Sequence, residues 1–155
     1  MEKISPHITY VEATHSQTAT KHRMKNIPNA EQLAAMRLIA EKIFEPMRAH
    51  FKIPIAITSF FRTKQVNAVV GGAINSQHTK GEAMDINSAI LGGTTNAEIF
   101  NFIKNNLLFD QLIWEFGDNL NPDWVHVSYK NIGNKKQILK SIKNGHNTKY
   151  ELWIG

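Results

Sequence analysis

The chain has 155 residues, 42% hydrophobic and 20% charged, and contains no cysteine. That length and balance suit one globular domain with its own core, and they exclude disulfides and any thiolate metal site. A formal charge of +5 and a pI near 9.5 favour anionic partners such as nucleic acid, membrane surfaces or bacterial wall polymers.

A single domain is expected over 1–155. Residues 1–28 show no clear period and read as an extended arm packed on it. The opening Met1–His7 has no apolar core of a secretory signal, and no apolar run is long enough to span a bilayer. The expectation is cytoplasmic synthesis without membrane insertion. Asn29, with Gln32 three residues on, forms a capping-box pattern. It opens a helix with Leu33, Met36, Ala40, Ile43, Phe44 and Met47 on one face. Pro46 should kink or end that helix.

Ile53–Ser59 reads as a strand with Pro54 near its start. A short helix from Thr63 to Val70 should stop at Gly71-Gly72. Residues 71–82 read as an irregular loop and 83–87 as a strand. Thr95 and Glu98 mark another capping box, opening a helix with Ile99, Phe102, Ile103 and Leu107 on one face. Gln111–Phe116 and Trp124–Tyr129 form a hairpin with a long loop. Ile138, Leu139 and Ile142 fit either an edge strand or a helical turn. The mixture lacks a βαβ rhythm, which predicts an α+β fold with a mainly antiparallel sheet.

Two imidazoles and a carboxylate stand out: His78, Asp85 and His126. A catalytic zinc takes three protein ligands and keeps a fourth position open. Gly81 argues against a helix between His78 and Asp85, so a loop ligand followed by a strand ligand is expected. Strand alternation puts Trp124, His126 and Ser128 on one face, with Val125 and Val127 toward a core. A packed histidine and a satisfied structural aspartate are the plain alternatives. Lys135, Lys136, Lys140, Lys143 and Lys149 cluster near the C-terminus without a nucleic-acid motif.

Ser76, His78, Gly81, Ala83 and Asp85 read Ser-x-His-x-x-Gly-x-Ala-x-Asp. With Trp124-x-His126-x-Ser128, this resembles the signature of the zinc D-alanyl-D-alanine carboxypeptidase family, whose fold is shared with the Hedgehog signalling domain. Ser59-Phe60-Phe61-Arg62-Thr63, with Asn67 and Gly71-Gly72, resembles the substrate-side segment of compact phage and prophage members. The similarity runs from about residue 5 to residue 130.

The resemblance implies a Hedgehog/DD-peptidase-like α+β fold with flanking helices, and zinc on His78, Asp85 and His126. A carboxylate must take a proton from the attacking water and pass it to the leaving amine. Glu115, at the end of a strand beside that of His126, is the preferred candidate. Asp123 is the runner-up: it stands three residues before His126, where the D,D-dipeptidase branch and several endolysins place a glutamate. Aspartate is shorter by one methylene. The resemblance gives Arg62 the binding of a terminal carboxylate or a developing oxyanion. Ser76 and Gln77 are candidates for bonds to substrate amides.

The expected function is a zinc metallopeptidase acting on peptidoglycan stem peptides, as a D,D-carboxypeptidase or related endopeptidase. A monomeric phage or prophage lysis enzyme, reaching the wall with holin assistance, fits the reading. No nucleic-acid partner is expected. The rivals are a non-catalytic zinc-binding module of the same fold and a basic nucleic-acid-binding protein.

Overall fold

A six-stranded sheet carries the candidate site in the computed structural model, which describes all 155 residues. Its strands are β3 (Ile57–Ser59), β4 (Ala83–Ile86), β5 (Gln111–Glu115), β6 (Trp124–Ser128), β7 (Gln137–Asn144) and β8 (Asn147–Leu152). They lie in the order β3-β4-β6-β5-β7-β8. All neighbours are antiparallel except β5 and β7, which run parallel. The fold is therefore mixed α and β with a mainly antiparallel sheet.

Strand alternation divides the sheet into two faces. Met84, Ile86, Leu112, Trp114, Val125 and Val127 point to one side and belong to the hydrophobic core. Asp85, Ile113, Glu115 and His126 occupy the other side. The helices close over the apolar side, so the polar face stays open to form a cleft.

Residues 1–28 do not form an extended arm. β1 (Lys3–Ser5) pairs with β2 (Ile8–Thr9), and two short helices follow, α1 (Tyr10–Thr14) and α2 (Gln17–Lys21). Thr9 and Glu12 make a capping box, and Ser16 caps α2. Ile4, Ile8 and Ala13 are built into the core. Helices this short are too brief for apolar periodicity to register, so their caps are the only local signal.

Asn29 caps α3 (Ala30–Ile39), with Gln32 completing the predicted capping box. Pro46 does not end the helix. A π turn at Ala40–Phe44 leads into α4 (Glu45–Phe51), with Glu45 N–H donating to the Ala40 carbonyl. Pro46 has no N–H to give, and it sits in the first turn of α4, where that lack is tolerated. Met36, Ile39, Ala40, Ile43, Phe44 and Met47 from this long helical segment fill the core.

The strand expected from Ile53 starts only at Ile57. Thr63 caps α5 (Lys64–Val70), which ends at Gly71 with φ 75°. The loop expected over 71–82 contains a 3₁₀ turn, Gln77–Lys80. Thr95 caps α6 (Asn96–Asn106), which buries Ile99, Phe100 and Ile103. Phe102 from the predicted face instead stacks with His50, ring centroids 4.3 Å apart. Ile138, Leu139 and Ile142 lie in β7, an interior strand rather than an edge. Parallel pairing depends on a distant partner, which local residue patterns do not reveal.

Candidate metal centre

His78 sits in the 3₁₀ turn, held by contacts that its neighbours' sequence explains. Ser76 Oγ accepts the His78 N–H at 3.3 Å. Gly81 closes the turn with φ 75°, and a Cβ there would lie 2.5 Å from the Gln32 carbonyl oxygen. Gln32 Nε2 also donates to the Thr79 carbonyl at 3.1 Å, so the start of α3 braces the turn. The His78 ring is buried, with Nδ1 2.7 Å from the Phe60 carbonyl oxygen. A carbonyl can only accept, so Nδ1 carries a proton, and Nε2 is the nitrogen turned toward Asp85 and left to serve as a metal ligand.

Asp85 and His126 are register partners on β4 and β6. Asp85 Oδ1 lies 2.9 Å from His126 Nδ1 and 3.3 Å from His78 Nε2. One ligand atom from each residue falls within 4.8 Å of the others. Metal–ligand bonds of about 2.0–2.1 Å place the corners of a tetrahedron about 3.3 Å apart, so these spacings fit a zinc ligand set. Burial alone would push the Asp85 carboxyl up. The charge of His78 and the hydrogen bonds of both histidines outweigh burial and hold Asp85 well below the usual carboxylate range.

The three residues lie in a cleft of about 850 Å³, which also takes in Arg62, Ser76, Gln77, Glu115 and Trp124. Glu115 stands on the same face as His126, whose direct partner on β5 is Ile113. It is 5% exposed. Burial raises its proton affinity, and the Ser141 hydrogen bond and His126 offset this in part.

Asp123 does not line the cleft. It is in phase with Val125 and Val127, opposite His126, and its side chain is exposed. Its backbone closes the hairpin by donating to the Glu115 carbonyl at 2.8 Å.

Arg62 borders the cleft, with Nη1 3.4 Å from Ser59 Oγ. Its Nε is buried without a hydrogen-bond partner. Burial lowers its pKa, and the charge of Asp85 restores part of it. Ser76 caps the His78 turn, and Gln77 Nε2 donates to Asp110 Oδ2 at 3.0 Å. Both line the cleft while holding the turn in place.

A family model described as peptidase M15 matches residues 6–128. The chain belongs to the peptidase M15 family. M15 peptidases are zinc-dependent metallopeptidases, and His78, Asp85 and His126 form a possible M15 metal site in this chain. No curated protein matches the chain.

Sequence reasoning missed several cleft residues of this M15 protein. Asp110 is buried, accepts from Gln77 and from the Lys135 N–H at 3.1 Å, and has Lys130 Nζ at 3.8 Å. Lys143, Thr148 and Tyr150 enter from β7 and β8. None stands in a motif, and all but Asp110 lie beyond the matched segment, so no local pattern could have found them. No helix is long and apolar enough to cross a membrane.

Proposed function

We propose that this M15 metallopeptidase hydrolyses peptide bonds of bacterial peptidoglycan, next to a D-amino acid, as a D,D-carboxypeptidase or related endopeptidase. One observation carries the reading. Asp85, His126 and the buried carboxylate Glu115 share one sheet face, and His78 joins them from its turn, so that three zinc-type ligands and a carboxylate meet in one open cleft. The site signature from Ser76 to Asp85 and the basic surface both favour a wall-peptide substrate.

Zinc, when bound, lowers the pKa of water and polarises the scissile carbonyl. His78, Asp85 and His126 supply its ligands. Glu115 takes a proton from the attacking water and gives it to the leaving amine, a role suited to a carboxylate of raised proton affinity. Its place in the cleft favours it over Asp123. Arg62 stands at the wall of the cleft, where its guanidinium suits a substrate carboxylate or the developing oxyanion. Trp124 walls the cleft beside Phe116, with ring centroids 5.3 Å apart.

The test is release of peptides from purified peptidoglycan, followed by mass spectrometry. Zinc-loaded protein should release them, while Glu115→Gln and chelator-treated protein should not. The product masses name the bond. No release by metal-loaded protein from several wall types would overturn the reading in favour of a non-catalytic zinc module.

A further inference from the structure

The family match ends at Ser128, but the cleft extends beyond it. Leu139, Lys143, Thr148 and Tyr150 continue its wall from the β7–β8 hairpin. That hairpin also supplies the single hydrogen bond made by the Glu115 carboxylate: the Ser141 hydroxyl donates to Oε2. Oε1 has no protein partner.

Ser141 is built for this contact. It is the register partner of Glu115 in the parallel ladder and is 1% exposed. The Phe116 N–H is shared between its carbonyl oxygen, at 3.1 Å, and its hydroxyl oxygen, at 3.3 Å. A serine hydroxyl has one proton to give. With its oxygen engaged by Phe116, that proton goes to Glu115.

We propose that Ser141 is a positioning residue for the hydrolytic reaction, holding Oε2 of Glu115 so that Oε1 faces the attacking water. The inference rests on the reading of Glu115 as proton shuttle. The other polar groups around this carboxylate are His126 on β6, Asp85 on β4, Tyr150 on β8 and Lys143 further along β7. Ser141 alone is bonded to it. Burial pushes the Glu115 carboxyl up, and the Ser141 bond is the largest influence pulling it back. Without that bond the carboxylate takes up a proton at higher pH and turns more freely.

The experiment compares zinc-loaded wild type, Ser141→Ala, Ser141→Cys, Ser141→Thr and Glu115→Gln on solubilised peptidoglycan fragments. It reads kcat, KM, zinc content and the acid limb of the pH–rate profile. Ser141→Ala should lower kcat about tenfold or more, the usual weight of a hydrogen bond to a charged group. KM and zinc content should hold, and the acid limb should move to higher pH. Ser141→Cys, nearly isosteric but a weak donor, should move the same way and serves if alanine disturbs folding. Ser141→Thr keeps the hydroxyl and should restore the wild-type profile. Wild-type kcat and acid limb in Ser141→Ala or Ser141→Cys, alongside an inactive Glu115→Gln, would overturn the role of Ser141 and leave that of Glu115 standing. Full activity in Glu115→Gln would instead overturn the reading of Glu115 itself.

Discussion

Asp85 and His126 face each other across two neighbouring strands, with Oδ1 2.9 Å from Nδ1, while His78 reaches the same oxygen from a separate turn. A metal at this point would tie β4, β6 and the turn together. Zinc at a hundred times its Kd should then stabilise the fold by about 2.7 kcal/mol. Thermal unfolding with added zinc and with a chelator checks this. Elemental analysis should find one equivalent of zinc in wild type. Asp85→Ala and His126→Ala should retain little, with the far-ultraviolet circular dichroism of the wild type.

Glu115 and Asp123 are separated by a clean prediction. Glu115→Gln keeps shape and hydrogen bonding but removes the base, so kcat should fall by about 10²–10⁴-fold. Asp123→Asn should change kcat by less than about twofold, because its side chain lies outside the cleft. Steady-state rates on wall peptides decide the matter. The reverse pattern would move the proton shuttle to Asp123.

The pH dependence follows from the sign of the Glu115 shift. Burial raises the pKa of this carboxyl above its ordinary value of 4.5 in the folded protein. A base works only when deprotonated, so activity should fall as pH drops through that raised value, earlier than for an exposed glutamate. The same shift makes the ionised group slightly unfavourable to folding at neutral pH. Glu115→Gln should therefore be at least as stable as wild type at pH 7, as read by urea unfolding of the metal-free protein.

Gly81→Ala should be costly although the residue touches no substrate. Its φ of 75° suits glycine, and a Cβ would collide with the Gln32 carbonyl at 2.5 Å. A loss of about 2 kcal/mol or more in urea unfolding is expected, with weakened zinc affinity because His78 rides on the same turn. Gly71→Ala is the control. Its φ is the same, but a Cβ there meets nothing within 4 Å, so only the backbone term of about 1 kcal/mol should be lost.

The readable parts of the sequence were those with local causes. Asn29, Thr63 and Thr95 announce their helices through side-chain caps. Val125 and Val127 set the face of β6 and so the direction of His126. The possible metal ligands were legible through the motif resemblance rather than through spacing alone, and the place of Glu115 beside the strand of His126 through the β-rich run that carries it. The unreadable parts needed partners far along the chain. β7 pairs directly with β5 in parallel although β6 comes between them in the chain, and Asp110 gains its place only once Gln77 and the Lys135 amide arrive. Pro46 marked an interruption of the regular helix, but residue type could not show that a π turn would carry the chain through it instead of ending it.

The parallel strand also bears on how the protein is made and divided. β5 gains one neighbour from its own hairpin and the other only after the chain has passed through β6 and residues 129–136. A fragment cut where the family match stops would keep His78, Asp85 and His126. It would also leave the backbone of β5 open along one side, the kind of edge that recruits other chains into aggregates. Such a fragment should precipitate on expression, and its silence in an assay would say nothing about the chemistry of the intact enzyme.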